Sequence, residues 1–237
     1  MAGFVQGLSG FGFSLTAMSL WAWLLEPRLA VALAVFGGLT GQVFSALTVR
    51  RGFSLAQVGP FLAGGRAGRP RGRLLLPRRA IPAGKGRRGM LLGVVCPLMY
   101  FSARLPRVTR GGRVADGLAG AVGGFMGALG GFSGVVPTLW CSLRGMARDS
   151  QRSVIQTFNL AVLTATFGSY LLTGIVTPAM LPLFAIVAPA VVLASLLGAR
   201  AYAGISDTAF RKLILLLLTA SGIALLVAAL PELGRRL

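Results

Sequence analysis

No histidine occurs in the 237 residues. Imidazole metal ligands are therefore excluded, and so are serine–histidine and cysteine–histidine nucleophile pairs. Acids are nearly as scarce. There are five, Glu26, Asp116, Asp149, Asp207 and Glu232, and no two form a pair placed for general acid–base work. The chain is not expected to be an enzyme. The two cysteines, Cys96 and Cys141, lie in apolar stretches and read as small apolar residues rather than as a disulfide or a metal site. No metal or cofactor is expected. No basic leader precedes the first apolar residues, so a removable signal peptide is not expected either. Charge is thin throughout: 12% of residues, against about 25% in a soluble domain.

Apolar residues fill the space that charge leaves, at 55% of the chain. One water-soluble core cannot hide that much apolar surface at this length, whereas lipid solvates it. A bilayer crossing needs about 20 mostly apolar residues. Residues 31–49 carry no charge, residues 114–143 only Asp116, residues 153–199 none, and residues 213–231 none. The 153–199 run is long enough for two helices, with a turn near Thr177-Pro178. The alternation expected of barrel strands is absent. The expected fold is an all-α membrane protein, a polytopic bundle of about seven to eight transmembrane helices. The spans fall at 3–25, 29–49, from 58 onward, 90–103, from 114 through a glycine-rich break, 153–174, 178–197 and up to 230.

The net charge is +19. In a soluble protein that would suggest nucleic acid. Here the basic residues sit mainly between apolar runs, a pattern that the positive-inside rule and anionic headgroups explain. Membrane lipids are the expected partners, and nucleic acid is not. The acid-free connector Arg104, Arg107, Arg110 and Arg113 reads as cytoplasmic, which puts both termini inside. The loops 144–152 and 200–212 are basic too, yet eight crossings place them on the other side. One stretch breaks the plan. Residues 66–88 hold Arg66, Arg69, Arg71, Arg73, Arg78, Arg79, Lys85, Arg87 and Arg88 where the third span should continue. Four central arginines would cost on the order of 10 kcal/mol to insert. The segment reads either as a basic loop on anionic lipid or as an out-of-frame read of GC-rich DNA.

Half a chain apart, the sequence repeats itself. The run 4–12, Phe-Val-Gln-Gly-Leu-Ser-Gly-Phe-Gly, resembles 125–134, Phe-Met-Gly-Ala-Leu-Gly-Gly-Phe-Ser-Gly. An apolar stretch, a charged turn and another apolar helix follow each copy. Two homologous halves are expected, 1–113 and 114–237, the first containing the anomalous 66–88. Glycine-dense breaks at mid-membrane expose backbone amides and positive helix N-termini, and both attract anions. The candidate substrate-binding residues are Gly7, Ser9, Gly10, Gly12, Gly130, Gly131, Ser133 and Gly134, with Gln42 and Asn159 from neighbouring spans. Ser14, Thr16 and Thr138 are further donors. Close helix packing is the competing role for the glycines, and interhelical hydrogen bonding for Gln42, Gln156, Thr157, Asn159 and Thr164. Asp149 and Arg152, like Glu26 and Arg28, read as helix-end charges or a gating pair. Trp21, Trp23 and Trp140 read as interfacial anchors.

At Gly7–Gly12, at its second copy Gly127–Gly134 and at the Glu26-Pro27-Arg28-x-Ala30 turn, the chain resembles the TauE/SafE family of sulfite and organosulfur anion exporters. The resemblance covers nearly the whole length. It implies about eight helices, a bacterial inner-membrane location and transport of a small anion such as sulfite or a sulfonate, with a second copy of the chain as a candidate partner. Two departures stand out: most of the upstream half of the first helix is absent, and the basic segment replaces most of the third. They support the alternative of a non-transport membrane component or an inactive, truncated or frameshifted paralogue.

Overall fold

The computed structural model describes residues 1–48, 55–74, 112–206, 208–210, 212–213 and 216. The expected span 90–103, most of the last span, and the basic residues from Arg78 to Arg88 lie outside them. Among the described residues eight helices have defined bounds and no strand occurs; residues 208–210, 212, 213 and 216 are helical as well. The eight are α1 (Ala2–Ser9), α2 (Phe13–Leu24), α3 (Pro27–Thr48), α4 (Leu55–Leu74), α5 (Gly112–Gly130), α6 (Val135–Leu143), α7 (Arg148–Leu172) and α8 (Leu181–Ala203). A 3₁₀ turn, Pro178–Met180, leads into α8.

Among the described residues, three segments are long and apolar enough to cross a bilayer: Pro27–Leu47, Arg148–Leu172 and Pro178–Tyr202. Their outer faces carry exposed Val43, Leu47, Leu171, Leu172, Ile186, Leu193 and Leu197, while Gln42, Gln151, Arg152, Asn159, Thr166 and Ser195 are buried. Apolar outside and polar inside suits a lipid surround.

The two glycine-broken segments do not run through as single crossings. Each doubles back as a helical hairpin. In the second hairpin, Ser133 lies against Gly127 and Pro137 against Gly123. Trp140 and Arg144 reach Asp116 near the start of α5, both at 2.7 Å. The end of α6 therefore returns to the level where α5 began. At nine residues, α6 is about 14 Å long, too short to span the apolar layer. In the first hairpin, Gly12 lies against Val5, and Ala2 joins the apolar cluster of Phe13, Ala17 and Trp21. The expectation that 3–25 and the broken segment from 114 each make one crossing is corrected on this point. The turns use left-handed glycines, Gly10 at φ 82° and Gly131 at φ 79°, a backbone region open to glycine without Cβ strain.

Helix directions follow from who touches whom. Arg28 of α3 donates to the carbonyls of Gly174 and Ile175 just beyond α7, while Gly38 meets Leu163, so α3 and α7 are antiparallel. Gly3 faces Val191 and Gly7 faces Ser195, so α1 and α8 run parallel. Pro60 lies beside Gly117 and Gly65 beside Gly124, so α4 and α5 run parallel as well. Glycines let both parallel pairs approach backbone to backbone. They also explain why α4 continues through the first basic residues to Leu74, where the sequence predicts failure. Its Phe61, Gly64, Gly65 and Gly68 face α5, while Arg66 points out, exposed.

Candidate functional site

The hairpin tips meet. A Cβ on Gly134 would lie 2.9 Å from that of Phe11, and one on Gly131 2.6 Å from the Ser14 hydroxyl oxygen. Between the tips is a small cavity of about 20 Å³, lined by Gln6, Phe11–Leu15, Gly38, Gln42, Gly131–Val135, Asn159 and Leu163. Such a volume admits about one water. Gly38 is the twelfth residue of the 22 in α3, and Asn159 the twelfth of the 25 in α7. The cavity therefore sits at the mid-length of both helices.

Two helix N-termini open onto this space. α2 begins after Gly12 and α6 after Gly134, and no side chain caps either. First-turn amides have no carbonyl partner within their own helix, so both ends present N–H groups and a partial positive charge. Pro137 removes one donor from α6, and the Val135 N–H already donates to the Phe132 carbonyl at 3.4 Å. The cavity lining contains no titratable side chain, so its electrostatics come from amides and dipoles.

Side chains fix the tips from the long helices. Gln6 Nε2 donates to the Gly38 carbonyl at 2.8 Å and Gln42 Nε2 to the Gly10 carbonyl at 2.9 Å, a reciprocal pair between α1 and α3. Ser14 donates to Ala34 at 3.1 Å, and Ser133 to Asn159 Oδ1 at 2.8 Å. Tyr170 donates to the Ala128 carbonyl at 3.0 Å near the C-terminus of α5. The C-terminus of α1 meets Arg152, which is fully buried. It donates to the carbonyls of Gly7 and Leu8, and its guanidinium carbon lies 3.8 Å from the Tyr202 ring centre. Tyr202 in turn donates to Asp149 at 2.6 Å.

Six of the expected substrate-binding residues line the cavity: Gly12, Gly131, Ser133, Gly134, Gln42 and Asn159. The other four lie elsewhere. Gly7 packs against the Ser195 backbone and Gly10 against Arg152 and Gln156. Ser9 donates to Val5 and Phe11 within its own hairpin. Gly130 lies against the Phe132 ring. Sequence reasoning passed over Gln6 and Gly38. Gln6 falls one helical turn before Gly10, which was the available signal.

The family model described as "Sulfite exporter TauE/SafE" matches residues 1–225. No curated protein and no solved structure matches the chain.

Proposed function

The chain belongs to the TauE/SafE sulfite exporter family, and from that premise we propose that it is a secondary transporter carrying sulfite or small organosulfonates through the cavity between its hairpin tips. The observation that carries this reading is the convergence of two uncapped helix N-termini at the mid-length of α3 and α7. Desolvated amides there replace part of an anion's hydration without fixed positive charge, which lets the anion leave again. The purified chain in proteoliposomes is expected to pass radiolabelled sulfite well above the rate of protein-free vesicles. Equal rates for sulfite and for every sulfonate tried, at the protein-free level, would end the proposal.

The site fits two homologous halves, 1–113 and 114–237, each opening with a hairpin and oriented oppositely in a bacterial inner membrane. Support comes from the antiparallel α3 and α7 and from the crossed pairing of α1 with α8 and α4 with α5. A hairpin does not cross, so each half crosses an odd number of times in a bundle of seven to eight helical elements. This arrangement also relieves the conflict among the basic loops. Asp116 pairs with Arg144, and Arg148 donates to Ile205, so Arg113, Arg144, Arg148, Arg200 and Lys212 share one end of the bundle. We take that end as cytoplasmic, which sets the N-terminus outside, opposite to the expectation from eight full crossings. In a variant with both native cysteines replaced, Ser206→Cys is expected to resist a membrane-impermeant thiol reagent added to intact cells, while Ala179→Cys is labelled. The reverse pattern would invert the orientation.

One observation favours the alternative, a non-transport component or an inactive paralogue. The apolar part of α4 ends at Gly65, and Arg66, Arg69, Arg71 and Arg73 follow within the helix. The same flux assay separates the two readings.

A further inference from the structure

Two buried side-chain oxygens on residues that line the cavity are left without a partner. They are Oε1 of Gln6 and Oε1 of Gln42, on side chains 1% and 3% exposed. Their orientation is fixed. Each amide nitrogen is held by a backbone carbonyl, Gly38 for Gln6 and Gly10 for Gln42, so rotating either amide would set oxygen against oxygen. Gly41 holds the Gln6 amide from behind, since a Cβ there would lie 2.2 Å from Nε2. The cavity therefore has two chemical faces. The hairpin side offers N–H donors from the ends of α2 and α6. The Gln6–Gln42 side carries the two unpaired Oε1 acceptors.

A bare oxyanion satisfies the donors of the first face but leaves both glutamine oxygens unpaired. A buried acceptor left unpaired in the loaded state weakens binding, and a site built this way rejects a ligand that lacks the matching hydrogen. We propose that the carried species is an anion bearing its own hydrogen-bond donor, for which the simplest case is hydrogensulfite in the tautomer with an O–H. Its anionic oxygens face the helix N-termini, and its hydroxyl donates to a glutamine Oε1. The inference rests on the anion-transport reading above and narrows it. It also gives the proton a carrier at a site whose lining has no titratable side chain, because the proton crosses on the substrate.

The test compares two monoanions of similar size in proteoliposomes of the full chain. Methanesulfonate has one negative charge at every accessible pH and no donor. Sulfite is singly protonated at mildly acidic pH and becomes a donor-free dianion as pH rises. At fixed total sulfite, wild-type flux is expected to follow the singly protonated fraction, falling about tenfold per pH unit above the second dissociation. Methanesulfonate is expected to be carried at least about tenfold more slowly and to compete poorly. In Gln6→Leu and Gln42→Leu this preference is expected to shrink toward unity, a readout that a general loss of folded protein does not produce. Sulfite flux that rises with the dianion, or equal handling of methanesulfonate by the wild type, would overturn the donor requirement and leave anion transport standing. No flux of either anion would overturn both. The wild-type pH profile together with the methanesulfonate comparison decides the matter even if the leucine variants fail to insert.

Discussion

Replacing Gly131 with leucine is expected to cut anion flux about a hundredfold while leaving the protein in the membrane. Gly131 turns the second hairpin at φ 79°, a region that costs a residue with a Cβ about 1–2 kcal/mol. The added Cβ would lie 2.6 Å from the Ser14 hydroxyl oxygen and 3.2 Å from a Val35 methyl. Ser14 cannot step aside freely, because its hydroxyl holds the Ala34 carbonyl. Overpacking adds about 1–3 kcal/mol, and a total near 3 kcal/mol corresponds to about a hundredfold. The strain falls on the contact between the tips, where α6 turns its amides toward the cavity. Insertion depends instead on the apolar lengths of α3, α7 and α8, which the substitution does not touch. Gly168→Ala in α7 is the control, since nothing lies within 4 Å of its added Cβ. Flux per inserted molecule is the measurement, and near-wild-type flux in Gly131→Leu would remove the tip contact from the transport cycle.

The apolar lengths made the three long spans legible from sequence, because a crossing helix is constrained by bilayer thickness more than by its neighbours. The breaks were legible too, since glycine clusters that dense have few other uses. Their direction was not. A left-handed glycine lets the chain bend or reverse, and nothing local decides which. The deciding signal was distance: only nine residues, none of them charged, separate Gly134 from Arg144, half of a crossing. Counting the segment as a full span then spread the basic loops over two faces. Charge could have corrected the count, since Asp116 and Arg144 pair only if the chain turns back.

The site was half legible for a similar reason. Gly12, Gly131, Ser133 and Gly134 reach the cavity because they form the tips. Gly7 and Ser9 sit in the same motif but on helical faces turned toward α8 and into the hairpin. Motif membership does not record that rotation. Gln6 was hidden by its neighbours: among glycines and apolar residues it reads as one polar residue in α1, and its role appears only when Gly38 and Gly41 of α3 are brought beside it. The basic segment shows a different limit. A hydropathy count stops α4 at Gly65, but its glycine face still finds the backbone of α5 and carries the helix on to Leu74.

Arg152→Met is expected to lower the melting temperature in detergent by roughly 10 °C. Arg152 is fully buried, and its guanidinium bridges the carbonyls of Gly7 and Leu8 at the end of α1. α1 is eight residues long, too short to hold itself together, so its position depends on such anchors. A helix C-terminus carries partial negative charge, and a cation there satisfies both the dipole and the last carbonyls. Methionine fills much of the volume but leaves two carbonyls unpaired at about 1–3 kcal/mol each, and it loses the contact with the Tyr202 ring. A loss near 3 kcal/mol at about 2–4 °C per kcal/mol gives the expected shift. Removing a buried charge also relieves its desolvation, which in some proteins makes an apolar replacement neutral or stabilising. The sign of the shift therefore decides between the two effects. A melting point at or above wild type would mean that Arg152 does not anchor α1. Arg152→Lys separates charge from geometry, because a single ammonium keeps the charge but lacks the planar fork. It is expected to recover less than half of the loss. Since α1 carries Gln6 and leads into Gly10 and Gly12, the same variants are expected to lose flux in the order of their melting temperatures, tying the cavity's shape to a charge outside its lining.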